Sequence, residues 1–138
     1  MNDFTMRVTV GQGYDETVTR VRELLADAGF GVLTEIDMAA TLQAKLGVQV
    51  APRIILGACR PELAQQALSV DPRVATLLPC NVVISVEDDG SVVEVFDPAV
   101  MTDFSPVLDD VAGEARARLS VMMDALTNDQ KDRDATRA

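Results

Sequence analysis

Two valine-rich runs joined by Asp88-Asp89-Gly90 constrain the fold more than any other part of the sequence. The first run covers residues 82–87 and the second covers residues 91–96. An Asp-Gly pair between two such runs is typical of a tight hairpin turn, because these residues adopt the positive φ angles that the turn needs. The arms of a hairpin are antiparallel, so the sheet that contains them has at least one antiparallel pair.

Hydrophobic periodicity predicts three more strands and four helices in the rest of the chain. The strands are at 5–10, 31–38 and 53–58, and the helices are at 14–28, 38–46, 61–71 and 106–126. With the hairpin, this order predicts one α+β two-layer domain over residues 1–127, in which helices cover a mixed, mainly antiparallel sheet of about five strands. A doubly wound parallel sheet is the less favoured alternative. Residues 128–138 have the polar composition of a disordered tail.

The net charge and the hydropathy of the chain exclude two kinds of partner. The net charge is −10, and no cluster of Lys or Arg is present to bind nucleic acid or an anionic membrane. Apolar residues make up 48% of the chain, but they form no run of about 18 that could span a bilayer. The first residues lack the pattern of a secretory signal, so we expect a cytoplasmic protein whose cysteines are reduced.

The absence of histidine excludes many catalytic and metal-binding schemes. Ser-His-Asp and Cys-His arrangements need an imidazole, and so do most zinc and haem sites. Neither a dinucleotide fingerprint nor a P-loop is present. The sequence therefore assigns no catalytic residue, no cofactor and no defined metal site.

The two cysteines of the chain, Cys59 and Cys80, are the strongest candidate site. Cys59 ends one apolar run and Cys80 begins the next, so antiparallel pairing of these runs brings both thiols to one rim of the sheet. Cys59 also precedes a predicted helix, whose N-terminal amides are expected to lower the pKa of the thiol, with Arg60 adding positive charge. The alternative is that both cysteines are small buried core residues.

Four polar residues are weaker candidates for ligand binding. Glu35, Asp37 and Lys45 lie at a predicted strand-to-helix edge, where ordinary surface or dimer contacts are the alternative role. Asn81 follows Cys80 and is suited either to touch a ligand or to cap a turn. Three methionines have the side chain of a soft-metal ligand, but packing and interface roles are the favoured interpretation for them: Met101, Met122 and Met123.

Four segments of the chain resemble a known family. They read GFGVLTEID at 29–37, TLQAKLG at 41–47, ILGACRPELA at 55–64 and LLPCNVV at 77–83. On these segments the chain is similar to the bacterial and archaeal family named domain of unknown function 302. The resemblance implies a compact α+β domain, often a homodimer, and no established activity. Arg60 departs from the family pattern, in which a small polar residue is more usual.

Two functions from different classes agree with these observations. The first is a binding or sensing module that holds a small ligand or a soft metal near the two cysteines. The second is a thiol-dependent enzyme or redox protein in which Cys59 attacks and Cys80 resolves. A homodimer is expected as well, because the core lacks large aromatic anchors and one face of the 106–126 helix is a candidate for burial between subunits.

Overall fold

The predicted hairpin is the centre of the observed sheet. In the computed structural model, which describes residues 3–137, strand β4 (Cys80–Glu87) pairs with strand β5 (Gly90–Phe96) in antiparallel fashion. The other strands are β1 (Thr5–Val10), β2 (Gly31–Asp37) and β3 (Arg53–Cys59).

The five strands have the order β1-β5-β4-β3-β2. Each neighbouring pair is antiparallel, so the prediction of an α+β fold is confirmed, although the sheet contains no parallel pair among the described residues and is not mixed. Strand β4 lies in the middle and has a partner on both sides. Strands β1 and β2 form the two edges.

The described residues also form five helices and three 3₁₀ turns. The helices are α1 (Tyr14–Asp27), α2 (Met38–Leu46), α3 (Pro61–Val70), α4 (Met101–Phe104) and α5 (Asp109–Arg137). The 3₁₀ turns are Pro72–Leu77, Pro98–Val100 and Pro106–Leu108. Within the described range, none of these helices is both long and apolar enough to cross a membrane.

The main core lies between one face of the sheet and helices α1 and α5. Alternate residues of a strand share a face, and in β3 and β4 the buried set includes Ile54, Leu56, Val82 and Ile84. Helices α1 and α5 contribute the facing side chains of the same cluster: Val21, Leu24, Leu25, Leu119, Met122 and Leu126. The apolar stripe of α5 therefore packs on its own sheet and is not free for a second subunit.

A second, smaller core joins α3 to the segment before α5. It contains Ala67, Val74 and Met101, which are buried together with Leu108 and Ala112.

The polar anchor of this second core is Asp71. Its carboxylate accepts a hydrogen bond of 2.6 Å from the Ser105 hydroxyl and bonds from the backbone and side chain of Arg73. The hydrogen bonds from Arg73 and then from Ser105 hold the pKa of Asp71 well below its usual range. The bond to Ser105 ties the end of α4 to the residue that follows α3.

Helix α5 is longer than the sequence pattern predicts. The hydrophobic stripe predicts an end near Leu126 and a disordered tail from 128, but the helix continues to Arg137. Arg20 of α1 donates to Asp129 at 2.8 Å, and the Gln130 side chain accepts from the backbone N–H of Gly11. These polar contacts hold the C-terminal extension of α5 in place. A hydropathy pattern does not predict them, because they join residues that are distant in sequence. The structure gives residues 128–137 a helical conformation, and Ala138 lies outside the described residues.

The hairpin turn is present, but its glycine has a different role from the predicted one. Asp88 has the positive φ, +51°, while Gly90 pairs with Glu87 at the base of the turn and does not have a positive φ. A Cβ atom on Gly90 would collide with the backbone carbonyl of Val10 at the end of β1. The glycine is needed because two backbones approach each other closely there.

We predict that Gly90→Ala destabilises the protein by about 2 kcal/mol, since the added methyl group meets backbone atoms that cannot move aside cheaply. Gly113→Ala is the matched control, because a Cβ on Gly113 in α5 meets no atom within 4 Å. That control is expected to stabilise the helix by about 0.5–1 kcal/mol. Urea unfolding followed by circular dichroism measures both changes. Equal stabilities for the two variants would contradict the close approach.

Candidate functional site

The two cysteines lie at the same end of neighbouring strands. Ala58 pairs with Cys80 across β3 and β4, and Cys59 pairs with Gly31 across β3 and β2. The sequence-based prediction that the two runs pair end to start is confirmed. Alternation puts Cys80 on the helix-covered face with Ala58, whereas Cys59 is the last residue of β3, where the chain turns into α3.

One cavity lies next to both cysteines. Cys59 and Cys80 line it, together with apolar side chains from α3, α5 and the connections between them. Its volume is about 30 Å³. That volume accepts a water molecule or a metal ion, because a water needs only about 10–15 Å³ on this scale. It is far below the ~300 Å³ of a typical small-molecule site.

A third sulfur-bearing residue, Met101, lines the same cavity. Met101 begins helix α4 and is 4% exposed. It follows Cys80 by a hairpin and a 3₁₀ turn, and the hydrogen bond between Asp71 and Ser105 holds its segment against α3. Sequence reasoning interpreted Met101 as a packing residue, since no spacing signal connects it to the cysteines. Only the tertiary fold brings Met101 next to the two cysteines.

Arg60 is next to the site and is largely buried. Its side chain packs on Gly29, which has a φ of +86°, and Nη1 donates to the Gly29 carbonyl at 3.5 Å. Nη1 also lies 3.6 Å from the Glu62 carboxylate. Nε of Arg60 is buried and has no hydrogen-bond partner in the described part of the chain. Arg60 is one of the residues that line the cavity, and its guanidinium is held at Gly29 and near Glu62.

Both thiols are harder to deprotonate than a free cysteine. Burial, and then the negative charge of Glu62, raise the pKa of Cys59. Burial, and then the charge of Cys59, raise the pKa of Cys80 to about 11. The expectation that the start of α3 and Arg60 lower the pKa of Cys59 is wrong, because Arg60 is directed to Gly29 and Glu62 lies in the first turn of the helix. Neither cysteine is activated as a nucleophile near neutral pH.

Glu35, Asp37 and Lys45 do not join the cysteines. Asp37 is six residues from Gly31 along β2, about 20 Å from the rim that holds the thiols. It caps α2 by accepting from the backbone N–H of Ala40 at 2.9 Å. Glu35 pairs with Arg22 at 2.9 Å, and Lys45 is exposed in the last turn of α2.

Asn81 is beside Cys80 in sequence but on the other face of the sheet. It is exposed there and lines a groove on the face opposite the main core. No group of three or more His, Cys, Asp or Glu residues within the described range is arranged to hold a metal ion. The three sulfur residues at the cavity are a different donor set, since one of them is a methionine.

Comparison with known proteins connects the chain to a group without an assigned activity. The family described as "Domain of unknown function DUF302" matches residues 6–126. A solved structure, the uncharacterized conserved protein DUF302 from Bacillus stearothermophilus, is 30% identical, with a TM-score of 0.84. The match covers 91% of this chain and 99% of that chain. No curated protein matches the sequence.

We predict that alkylation of Cys59 by iodoacetamide is slow at pH 7 and accelerates as the pH rises past 9, while Cys80 reacts only when the protein unfolds. Glu62→Gln removes a negative charge, so it should shift the pH profile of Cys59 to lower pH. Glu16→Gln, in the first turn of α1, is the control. Mass spectrometry of each peptide measures the rates. A profile of Cys59 that is identical in Glu62→Gln and the parent would contradict this electrostatic account.

Proposed function

The chain belongs to the DUF302 family, and we propose that it is a binding module in which Cys59, Cys80 and Met101 hold a single copper(I) ion. The observation that carries the proposal is the convergence of these three sulfur-bearing residues on one cavity of about 30 Å³. Thiolate and thioether sulfurs are soft ligands, and among biological metals they favour copper(I).

The chemistry of the cavity wall supports this choice of metal. The remaining lining is mostly aliphatic, and it offers no carboxylate for magnesium and no further thiolate or imidazole to complete a tetrahedral zinc site. The size of the cavity favours an ion over the small organic ligand that was the other candidate.

The raised pKa values of the thiols make binding dependent on pH. Both cysteines are protonated at neutral pH, so copper(I) must displace two protons to form two thiolate bonds. Affinity therefore rises with pH over the range in which the free thiols remain protonated. The same raised pKa values disfavour the alternative of a thiol-dependent enzyme or redox protein, which needs a thiolate to attack.

We also propose that the module acts as a homodimer in the cytoplasm, as expected from the sequence. The supporting observation is the exposure of apolar side chains on the face of the sheet opposite the main core, where Ile36 is 44% exposed and Phe4 at its edge is 60% exposed. Exposed apolar side chains of this size are typical of a surface that a partner covers. The segment from β2 to the start of β3 exposes a second apolar set, which includes Leu33, Leu46, Val48 and Val50.

Copper(I) titration tests the proposed site. Under anaerobic, reducing conditions, competition with a chromogenic copper(I) chelator should give one ion per chain, and the apparent affinity should increase with pH. Cys59→Ser and Cys80→Ser each remove a thiolate and should abolish binding. Met101→Leu keeps the volume and should weaken binding by about tenfold, as for the loss of one ligand contact.

Met123→Leu is the matched control for the methionine. Met123 is 5% exposed but belongs to the main core, away from the cavity, so its replacement should leave copper(I) affinity unchanged. Retained affinity in Cys59→Ser or Cys80→Ser would refute the site. Equal effects of the Met101 and Met123 replacements would remove Met101 from the ligand set.

A further inference from the structure

The face of the sheet opposite the main core carries a groove of about 510 Å³. Its floor follows strands β3, β4 and β5. Ile55 and Val83 are paired in register at its centre, and Ile36 of β2 continues the same row. Ile36 is 44% exposed, and Phe4 at the rim of the groove is 60% exposed. The row is thus apolar on β2, β3 and β4, and Glu94 of β5 and Arg7 of β1 continue it.

The charges on this face balance, although the chain has a net charge of −10. By strand alternation the charged residues of this face are Arg7, Arg53, Glu87 and Glu94. Arg7 and Glu87 form an ion pair at 2.6 Å that crosses β5. Two copies of this surface can therefore meet without the repulsion that the other parts of an acidic chain impose.

The other two charges have no ionic partner of their own. Arg53 is exposed and forms no ion pair in the described part of the chain. Glu94 accepts a hydrogen bond of 2.6 Å from Thr5, and it forms no ion pair among the same residues. Arg53 is on β3 and Glu94 is on β5, so the two lie on opposite sides of the central strand β4.

We propose that the occupant of this face is a second copy of the chain, packed sheet to sheet about a two-fold axis that runs along β4. The inference rests on the proposed homodimer and adds its interface. Such an axis brings β3 of one protomer over β5 of the other. Arg53 is level with Ser85 of β4 and Glu94 is level with Val83, so the two charges are two residues, about 7 Å, apart along the strand direction. Packed sheets are about 10 Å apart. Two long side chains can bridge that separation, so Arg53 of each protomer pairs with Glu94 of the other.

The area of the face corresponds to a small interface. Five strands about 4.8 Å apart and about 20 Å long present a projected area of roughly 500 Å², against about 800 Å² per partner in a standard interface. The accessible area is larger than this projected area, because the surface is corrugated and because side chains at its edges, including Phe4, are exposed. A contact with two-fold symmetry also forms the Arg53–Glu94 pair twice, once on each side of the axis.

Charge reversal tests the interface with a built-in control for folding. Sedimentation velocity of the full chain over a concentration series should show a dimer of the 14.8 kDa protomer. Arg53→Glu and Glu94→Arg should each weaken self-association by more than about tenfold, because each variant faces like charges across the axis. An equimolar mixture of the two variants should recover the dimer, since each contributes the charges that the other needs. Lys131→Glu, on the exposed side of α5, should leave the dimer unchanged.

The remaining outcomes separate the two proposals. A parent chain that stays monomeric at all concentrations would refute the homodimer and this interface together. A stable dimer that neither charge reversal weakens would refute this interface alone. Weakening by Leu46→Glu in α2 without weakening by Arg53→Glu would assign the contact to the α2 side. Failure of the mixed variants to associate would also overturn the Arg53–Glu94 pairing.

Discussion

The pairing of β3 with β4 is the interaction on which the rest of this structure depends. Its register sets Ile54 opposite Ile84, Leu56 opposite Val82 and Ala58 opposite Cys80. These side chains share one face, and they are almost fully buried. A shift by one residue would turn this apolar set to the outer face and expose it. The same register brings both cysteines to one end of the sheet, so the core and the candidate site share a single cause.

The sheet has two faces with different functions in this interpretation. One face is covered by α1 and α5, and at its end the small core around α3 and α4 encloses the cavity with the three sulfur residues. The opposite face carries an apolar row flanked by Arg53 and Glu94. The proposed metal ion on one face and the proposed second protomer on the other do not compete for surface. An antiparallel sheet allows this division, because it needs a cover on only one side.

Much of the fold can be predicted from the sequence because its signals are local. The valine-rich hairpin, the helix of α1 and the stop at Gly47 each depend on residues within one element, and the structure confirms them. The role of Gly90 and the end of α5 were predicted wrongly for one reason. Gly90 is required because the backbone of β1 approaches it closely, and the extension of α5 is held by hydrogen bonds to α1 and Gly11. These partners are distant in sequence. The hydrophobic periodicity of a single segment carries no information about such contacts.

By itself, the sequence determined the order of the strands and of helices α1, α2, α3 and α5, the antiparallel hairpin, the absence of histidine chemistry and the neighbourhood of Cys59 and Cys80, but not the short helix α4. Tertiary structure decided what surrounds the cysteines: burial and Glu62 raise their pKa values, Arg60 turns to Gly29, and Met101 reaches the cavity. It also separated Asp37 and Lys45 from the thiols. The physical reason is that electrostatics and packing depend on distances through space, whereas propensity and hydrophobic period depend on distances along the chain.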